Sequence, residues 1–278
     1  MRYTSRMYLG VDIGGTKTLV ALLTNKGVIT ARKKFPTPRK YEDFLDTLKQ
    51  TITEFDAGDI RAIGVAVPGS LDRKHGIGIA FGNLPWKNVR IQSDIERITH
   101  TPVVIENDGR LAALSEAMLL KKQYRTVLCI TIGTGLGTGV IADGKIDESF
   151  EEMEAGFMPL DYKGKLVKWE SFASGKAIYE RFGKKATDIT DENAWKIIGR
   201  NLAVGINALI AIIQPDAIVI GGGVSATFPK FKKYLLAELK KYETPLTPIP
   251  PVLQSQRAEE AVVYGCYDLA KERYGNAT

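Results

Sequence analysis

The chain has 278 residues, 44% of them hydrophobic and 25% charged, an ordinary globular composition long enough for about two domains. Its formal net charge of +6 comes from scattered lysines and arginines interleaved with acids, so the reading is a solvated surface that attracts anionic nucleotides, with no nucleic-acid partner. Only two cysteines, Cys129 and Cys266, lie far apart in apolar stretches, which excludes a disulfide framework or a Cys-rich metal site, and no apolar run or signal-peptide pattern is read, so a cytoplasmic protein with no membrane partner is expected.

In chain order, MYLGVD from Met7 to Asp12 reads as a buried strand running into a turn at Gly14 and Gly15. Residues 18–24 and 28–34 are predicted as strands joined at Asn25-Lys26-Gly27. Tyr41, Phe44, Leu45, Leu48, Ile52 and Phe55 recur at helical spacing, and Ile60 to Val67 is strand-like again. Ser93 and Glu96 have the spacing of a capping box and predict a short helix, after which Pro102 leads into the strand VVIE. The second half opens with a strand from Thr126 to Ile132, turns at Gly133 to Gly137, and continues with strands around the Asp143-Gly144 turn. Helices are predicted over 171–182, 192–213, 229–241 and 258–273, with a strand at 217–220 and a turn at Gly221 to Gly223.

Two halves that each begin with a strand, a glycine-rich turn and a hairpin predict a duplicated α/β fold with a cleft between the copies. The division is placed at Glu106, giving an N-terminal domain of residues 1–106 plus 258–278 and a C-terminal domain of residues 107–257.

In Asp12-Ile13-Gly14-Gly15-Thr16-Lys17 the paired glycines let the backbone approach a bulky anion, Thr16 adds a hydroxyl, and Asp12 is placed to hold Mg²⁺ through water. Alone, the segment is equally an ordinary hairpin turn. Gly133-Thr134-Gly135-Leu136-Gly137 offers a second anion cradle, with the hydroxyls of Thr134 and Thr138 available to it. It lacks the Gly-Lys-Ser/Thr ending of a P-loop, and strands rather than a helix follow it. Gly221, Gly222 and Gly223 allow a flat ligand such as adenosine close to the main chain. Asp108 in Glu106-Asn107-Asp108 is either a helix N-cap or the group that receives a proton from an attacking hydroxyl.

The segments DIGGT, GVAVPGSLD, GNLPW, VVIENDGRLAALSE, ITIGTGLGTGVI, EAGF, WESFASG and AIVIGGGVS occur in an order that resembles the ROK-family sugar kinases over nearly the whole chain. The resemblance implies the actin-like ATPase fold, two ribonuclease-H-like domains with ATP and sugar in the cleft between them, and a homodimer. It assigns Asp12, Gly14, Gly15, Thr16 and Lys17 to the first phosphate segment, Gly133, Thr134, Gly135 and Gly137 to the second, and Gly221 to Gly223 to adenosine. It places Gly69, Asn83, Asn107, Asp108, Glu154 and Glu170 on the sugar, with Asp108 as catalytic base. Phe157 stands where most relatives have a histidine, and the segment MPLDYKGKLVKW holds no cysteine or histidine, so ATP and Mg²⁺ are expected but zinc is not. The expected reaction is transfer of the γ-phosphoryl group to a hexose, chiefly the 6-hydroxyl of glucose. The alternatives are an N-acetylhexosamine kinase and a sugar-binding regulator; against the regulator, the first phosphate strand begins near Met7 and leaves no room for a helix-turn-helix domain before it.

Overall fold

Seven residues, MYLGVDI, form the first strand, β1 (Met7–Ile13), and all but Asp12 are buried, as expected of a central strand covered on both faces. The computed structural model describes residues 6–55, 59–257 and 260–275. The chain divides into two compact units, Met1–Ser115 with Glu259–Thr278, and Glu116–Ala258.

In the first unit β1 is followed by β2 (Lys17–Thr24), β3 (Ile29–Pro36), α1 (Tyr41–Thr53), β4 (Ile60–Val67), β5 (Ser70–Asp72), β6 (Ile77–Phe81), β7 (Leu84–Val89), α2 (Ile91–Thr99), β8 (Val103–Asn107) and the start of α3 (Asp108–Leu120), whose last residues belong to the second unit. The main sheet has the order β3-β2-β1-β4-β8; β1, β2 and β3 are antiparallel neighbours, and β1, β4 and β8 are parallel. Strand β3 lies at the edge and alternates half-buried and exposed positions up to the buried Phe35, with Arg32, Lys33 and Lys34 along it, charges that discourage further strand pairing. Leu9, Val11 and Ile13 point into a core with Phe44, Leu48, Ile91 and Ile95, which fixes α1 and α2 on one face of the sheet.

The second unit repeats this plan with β9 (Thr126–Ile132), β10 (Leu136–Ala142), β11 (Lys145–Ile146), β12 (Pro159–Tyr162), β13 (Lys165–Lys168), α4 (Glu170–Ala173), α5 (Gly175–Phe182), α6 (Glu192–Ile213), β14 (Ala217–Gly221), α7 (Phe228–Leu239) and β15 (Val252–Gln254). Its main sheet runs β11-β10-β9-β14-β15, with antiparallel and parallel pairs in the same positions as in the first unit. Asp143 and Gly144, both at positive φ, make the β10–β11 turn, as the Asp-Gly pair predicts. By length and composition alone α6 is long and apolar enough to cross a bilayer, but Trp195, Ile198, Leu202, Ile206 and Leu209 bury one side of it in this unit's core.

The last helix, α8 (Ala261–Tyr274), returns to the first unit and packs on the sheet face opposite α1 and α2 through Val263, Tyr267 and Ala270. Its approach needs two glycines: a Cβ at Gly64 would lie 2.1 Å from the Cys266 carbonyl oxygen, and one at Gly10 would lie 2.8 Å from that of Val263. Both cysteines are buried, and neither is in a disulfide.

Several local expectations change. Ser93 lies inside α2 and donates to the Arg90 carbonyl, while the Glu96 carboxylate accepts from the Val103 N–H, so no capping box forms. The helix predicted over 171–182 breaks at Ser174, whose hydroxyl caps α5 by accepting from Ala177 N–H. The three-stranded sheet β5-β6-β7 and the β12–β13 hairpin were not predicted. The expected start of the last helix at residue 258 lies outside the described residues.

Candidate functional site

In the first unit the turn between β1 and β2 is closed by Gly14 N–H donating to the Lys17 carbonyl at 3.1 Å. A Cβ on Gly14 would lie 2.6 Å from that same oxygen, so glycine is required there; at Gly15 the space is ordinary, with the Asn83 side chain 3.4 Å away. Lys17 is exposed, and it closes the turn through its carbonyl. Thr37, which the sequence reading missed, pins this turn: its hydroxyl donates to Gly14 O at 2.7 Å and pairs with the Thr18 hydroxyl, while its N–H donates to Thr16 O. Both threonines are buried, and Thr37 reaches the turn only through the fold, so no local pattern in the sequence marked it.

At the end of β8 the two readings of Asp108 separate. The Asn107 side-chain oxygen accepts from Gly109 N–H at 2.9 Å and Arg110 N–H at 3.3 Å, so Asn107 caps α3. Its amide donates to the Gly69 carbonyl at 3.2 Å. Gly69 adopts φ +130°, and a Cβ there would fall 2.3 Å from Ala80 O, so the loop carrying this carbonyl depends on glycine. Behind Asn107, Glu106 is buried and takes a two-pronged contact from Arg73, both bonds at 2.7 Å, and also accepts the Asn107 N–H. Arg73 follows the GVAVPGSLD segment directly, but nothing in its spacing pointed to Glu106.

Relieved of the cap, Asp108 holds Gly109 N–H through Oδ1 at 2.8 Å. Burial raises its pKa, against the lowering effects of the Gly109 hydrogen bond and the Arg110 charge. Asp12 is pushed up to about 6, first by burial and then by the Asp108 charge, with Lys34 opposing. The two carboxylates therefore sense one another from the C-terminal ends of β1 and β8, parallel strands with β4 between them. Asp12 suits a hydrated magnesium ion, because its charged form is disfavoured where it stands and a divalent cation would relieve both burial and like-charge repulsion with one carboxylate and water.

A stability test follows from the sign of this shift. The neutral Asp12 contributes stability that is fully present below about pH 4 and is lost as pH rises through about 6. In EDTA, Asp12→Asn is expected to be more stable than wild type at pH 7.5 by about 2 kcal/mol, the gap closing toward pH 4. Thermal melts of both proteins across that range check it, and equal melting temperatures at pH 7.5 would contradict it.

In the second unit three segments converge on the β9–β10 turn. Gly175, the first residue of α5, donates to Gly133 O at 2.8 Å; Glu170 Oε2 lies 3.0 Å from where a Cβ on Gly135 would stand; and a Cβ on Gly156 would lie 2.2 Å from Leu136 O. Glu154 is exposed just before Gly156. Gly222 has φ +80°, and a Cβ there would overlap the Ile132 backbone at 2.6 Å. By contrast a Cβ on Gly133 or Gly223 would meet nothing within 4 Å. Gly133, Thr134, Gly175, Tyr179, Lys185 and Gly223 line a cavity of about 520 Å³, a size that fits a nucleoside. Tyr179 and Lys185 were missed because they come from the face of α5 and the loop after it, where Gly183 reads only as a helix C-cap.

Some predicted members stand apart from these features. Gly137 lies within β10 opposite Thr131, outside the turn itself, and Gly221 ends β14 with ordinary spacing around it. The Thr138 hydroxyl is buried in β10, so only Thr134 offers an exposed hydroxyl at this turn. Phe157 is 52% exposed, with Lys168 Nζ 4.0 Å above its ring, rather than packed into the core. Among the described residues no group of three or more His, Cys, Asp or Glu is placed to hold a metal ion.

Two sheets of matching order, each with a glycine turn after its first strand, define an actin-like ATPase fold. Residues 8–273 match the ROK family, and the chain belongs to that family. A glucokinase of Streptomyces coelicolor is 26% identical over 95% of this chain and 97% of its own length. An N-acetyl-D-glucosamine kinase of Escherichia coli is 28% identical over 93% of this chain and 97% of its own. The crystal structure of a ROK family glucokinase from Streptomyces griseus in complex with glucose and AMPPNP has a TM-score of 0.76 at 25% identity, covering 96% of this chain and 99% of that one.

Proposed function

We propose that this ROK-family sugar kinase, as a cytoplasmic homodimer, transfers the γ-phosphoryl group of Mg-ATP to a hexose, with the 6-hydroxyl of glucose as the preferred acceptor. The observation that carries the reading is the division of labour at β8, where Asn107 caps the helix and leaves Asp108 with a raised pKa as a proton acceptor. A carboxylate whose pKa is raised by burial is a stronger base than an ordinary aspartate. Asp108 takes the proton of the sugar hydroxyl while that oxygen bonds to the γ-phosphorus and the bridging P–O bond breaks, releasing ADP.

The main-chain amides around Gly14–Thr16 and Gly133–Gly135 would donate to phosphate oxygens, and the cavity beside Gly223 would take the nucleoside. When bound, magnesium supplies charge neutralisation at the phosphates, and Asp12 would hold it through water. Asn83, Asn107, Glu154 and Glu170, with the Gly69 main chain, would fix the sugar hydroxyls, since a polyol needs paired donors and acceptors in set directions.

The exposed Phe157 ring next to the Glu154 segment favours a second reading, in which an apolar acyl group on an N-acetylhexosamine is accommodated. Product analysis decides between them. The protein with Mg-ATP would be offered glucose, mannose, fructose, N-acetylglucosamine and N-acetylmannosamine, and the phosphate position read by NMR. Glucose 6-phosphate as the fastest-formed product is expected; preferential phosphorylation of an N-acetylhexosamine transfers the assignment to the second reading.

A further inference from the structure

Glu154 and Glu170 stand at the two ends of the β12–β13 hairpin, and the hairpin base is closed by Trp169 N–H donating to Met158 O at 2.9 Å. Glu170 opens α4, which has only four residues. A single turn cannot hold itself in water, because nucleating a helix fixes many dihedrals for few hydrogen bonds. Its position must come from outside.

It comes from α6. The Asn201 side chain donates to Phe172 O at 2.7 Å, and the Asn201 main-chain carbonyl accepts from the Trp169 indole N–H at 3.1 Å. Trp169 is fully buried against Gly205 of the same helix, where a Cβ would lie 2.2 Å from its ring. Tyr162 of the hairpin stacks on Phe172 of α4 with ring centres 4.3 Å apart and planes 11° apart, and Arg181 bonds the Tyr162 hydroxyl. Asn201 itself is buried, so losing its amide would leave the Phe172 carbonyl without that donor and loosen one of the two tethers of α4.

We infer that Asn201 and Trp169 are positioning residues for Glu170: together they form a protein-only brace that sets the Glu170 carboxylate against the Gly133–Gly135 turn and thereby tunes sugar affinity. The inference rests on Glu170 being a sugar contact. It does not require either bracing residue to touch substrate.

Asn201→Leu keeps the volume and removes the amide; Trp169→Phe keeps an aromatic ring and removes the indole N–H. Each is expected to raise the KM for sugar about tenfold, with kcat and the KM for ATP within about twofold of wild type. In a Glu170→Ala background, Asn201→Leu should add less than about twofold to the sugar KM, because the group it positions is gone. A lower melting temperature with an unchanged sugar KM, or full additivity with Glu170→Ala, would overturn the inference. If Asn201→Leu does not fold, Trp169→Phe carries the same cycle. Should the wild-type protein phosphorylate no sugar, the kinase reading fails by itself, and the brace is read from glucose affinity by calorimetry with the same expected ratios.

Discussion

Asp108→Asn is expected to lower kcat by about a thousandfold while leaving the affinities for sugar and ATP within a few-fold of wild type. Asparagine keeps the shape of the side chain and its ability to accept the Gly109 N–H, so the start of α3 should survive, particularly since Asn107 and not Asp108 provides the cap. What is lost is the capacity to take a proton. The expected residual rate reflects orientation and charge stabilisation by the remaining groups, which do not depend on a base. Steady-state kinetics with calorimetric binding of each substrate checks the pattern. A variant with near-normal turnover would remove Asp108 from the chemistry, whereas loss of sugar binding with unchanged kcat at saturation would make it a binding residue only.

The second large effect concerns nucleotide. Gly133→Ala and Gly223→Ala place a methyl group in space that no protein atom within 4 Å occupies, at two positions on the wall of the same cavity. The fold should tolerate both, with melting temperatures close to wild type. A ligand lying against the main chain would not, and the KM for ATP is expected to rise tenfold or more, equivalent to about 1.4 kcal/mol. Gly222→Ala provides the contrast. Its positive φ and the overlap with Ile132 backbone predict a loss of about 2 kcal/mol or more of stability, visible in a melt before any substrate is added. Normal ATP affinity in both Gly133→Ala and Gly223→Ala would move the nucleoside away from this cavity.

The parts of the fold legible in the sequence were those written in local pattern. The apolar run of β1, the helical spacing of Phe44, Leu45 and Leu48, and the Asp143-Gly144 turn each reflect burial or backbone geometry over a few residues. The glycine turns after β1 and β14 were legible because glycine is needed for close backbone approach, as at Gly14 and Gly222. The β5-β6-β7 sheet escaped because its strands are short and partly polar, although Gly76 and Gly82 at positive φ marked its turns. The role of Asn107 could not be read because Asn and Asp are nearly equal as caps, and which one turns toward the helix depends on the Gly69 carbonyl brought from another loop. Asn201 bonds Trp169 and Phe172 from about thirty residues away, and although Trp169 opens the WESFASG segment, no local pattern ties that segment to Asn201.

The most direct test of the whole account is the stoichiometry of sugar-dependent ADP release by the purified wild-type chain with Mg-ATP and glucose. The account predicts that ADP release requires the sugar and that one sugar phosphate forms for each ADP. ADP release that is independent of every sugar offered, or no release at all, would contradict it.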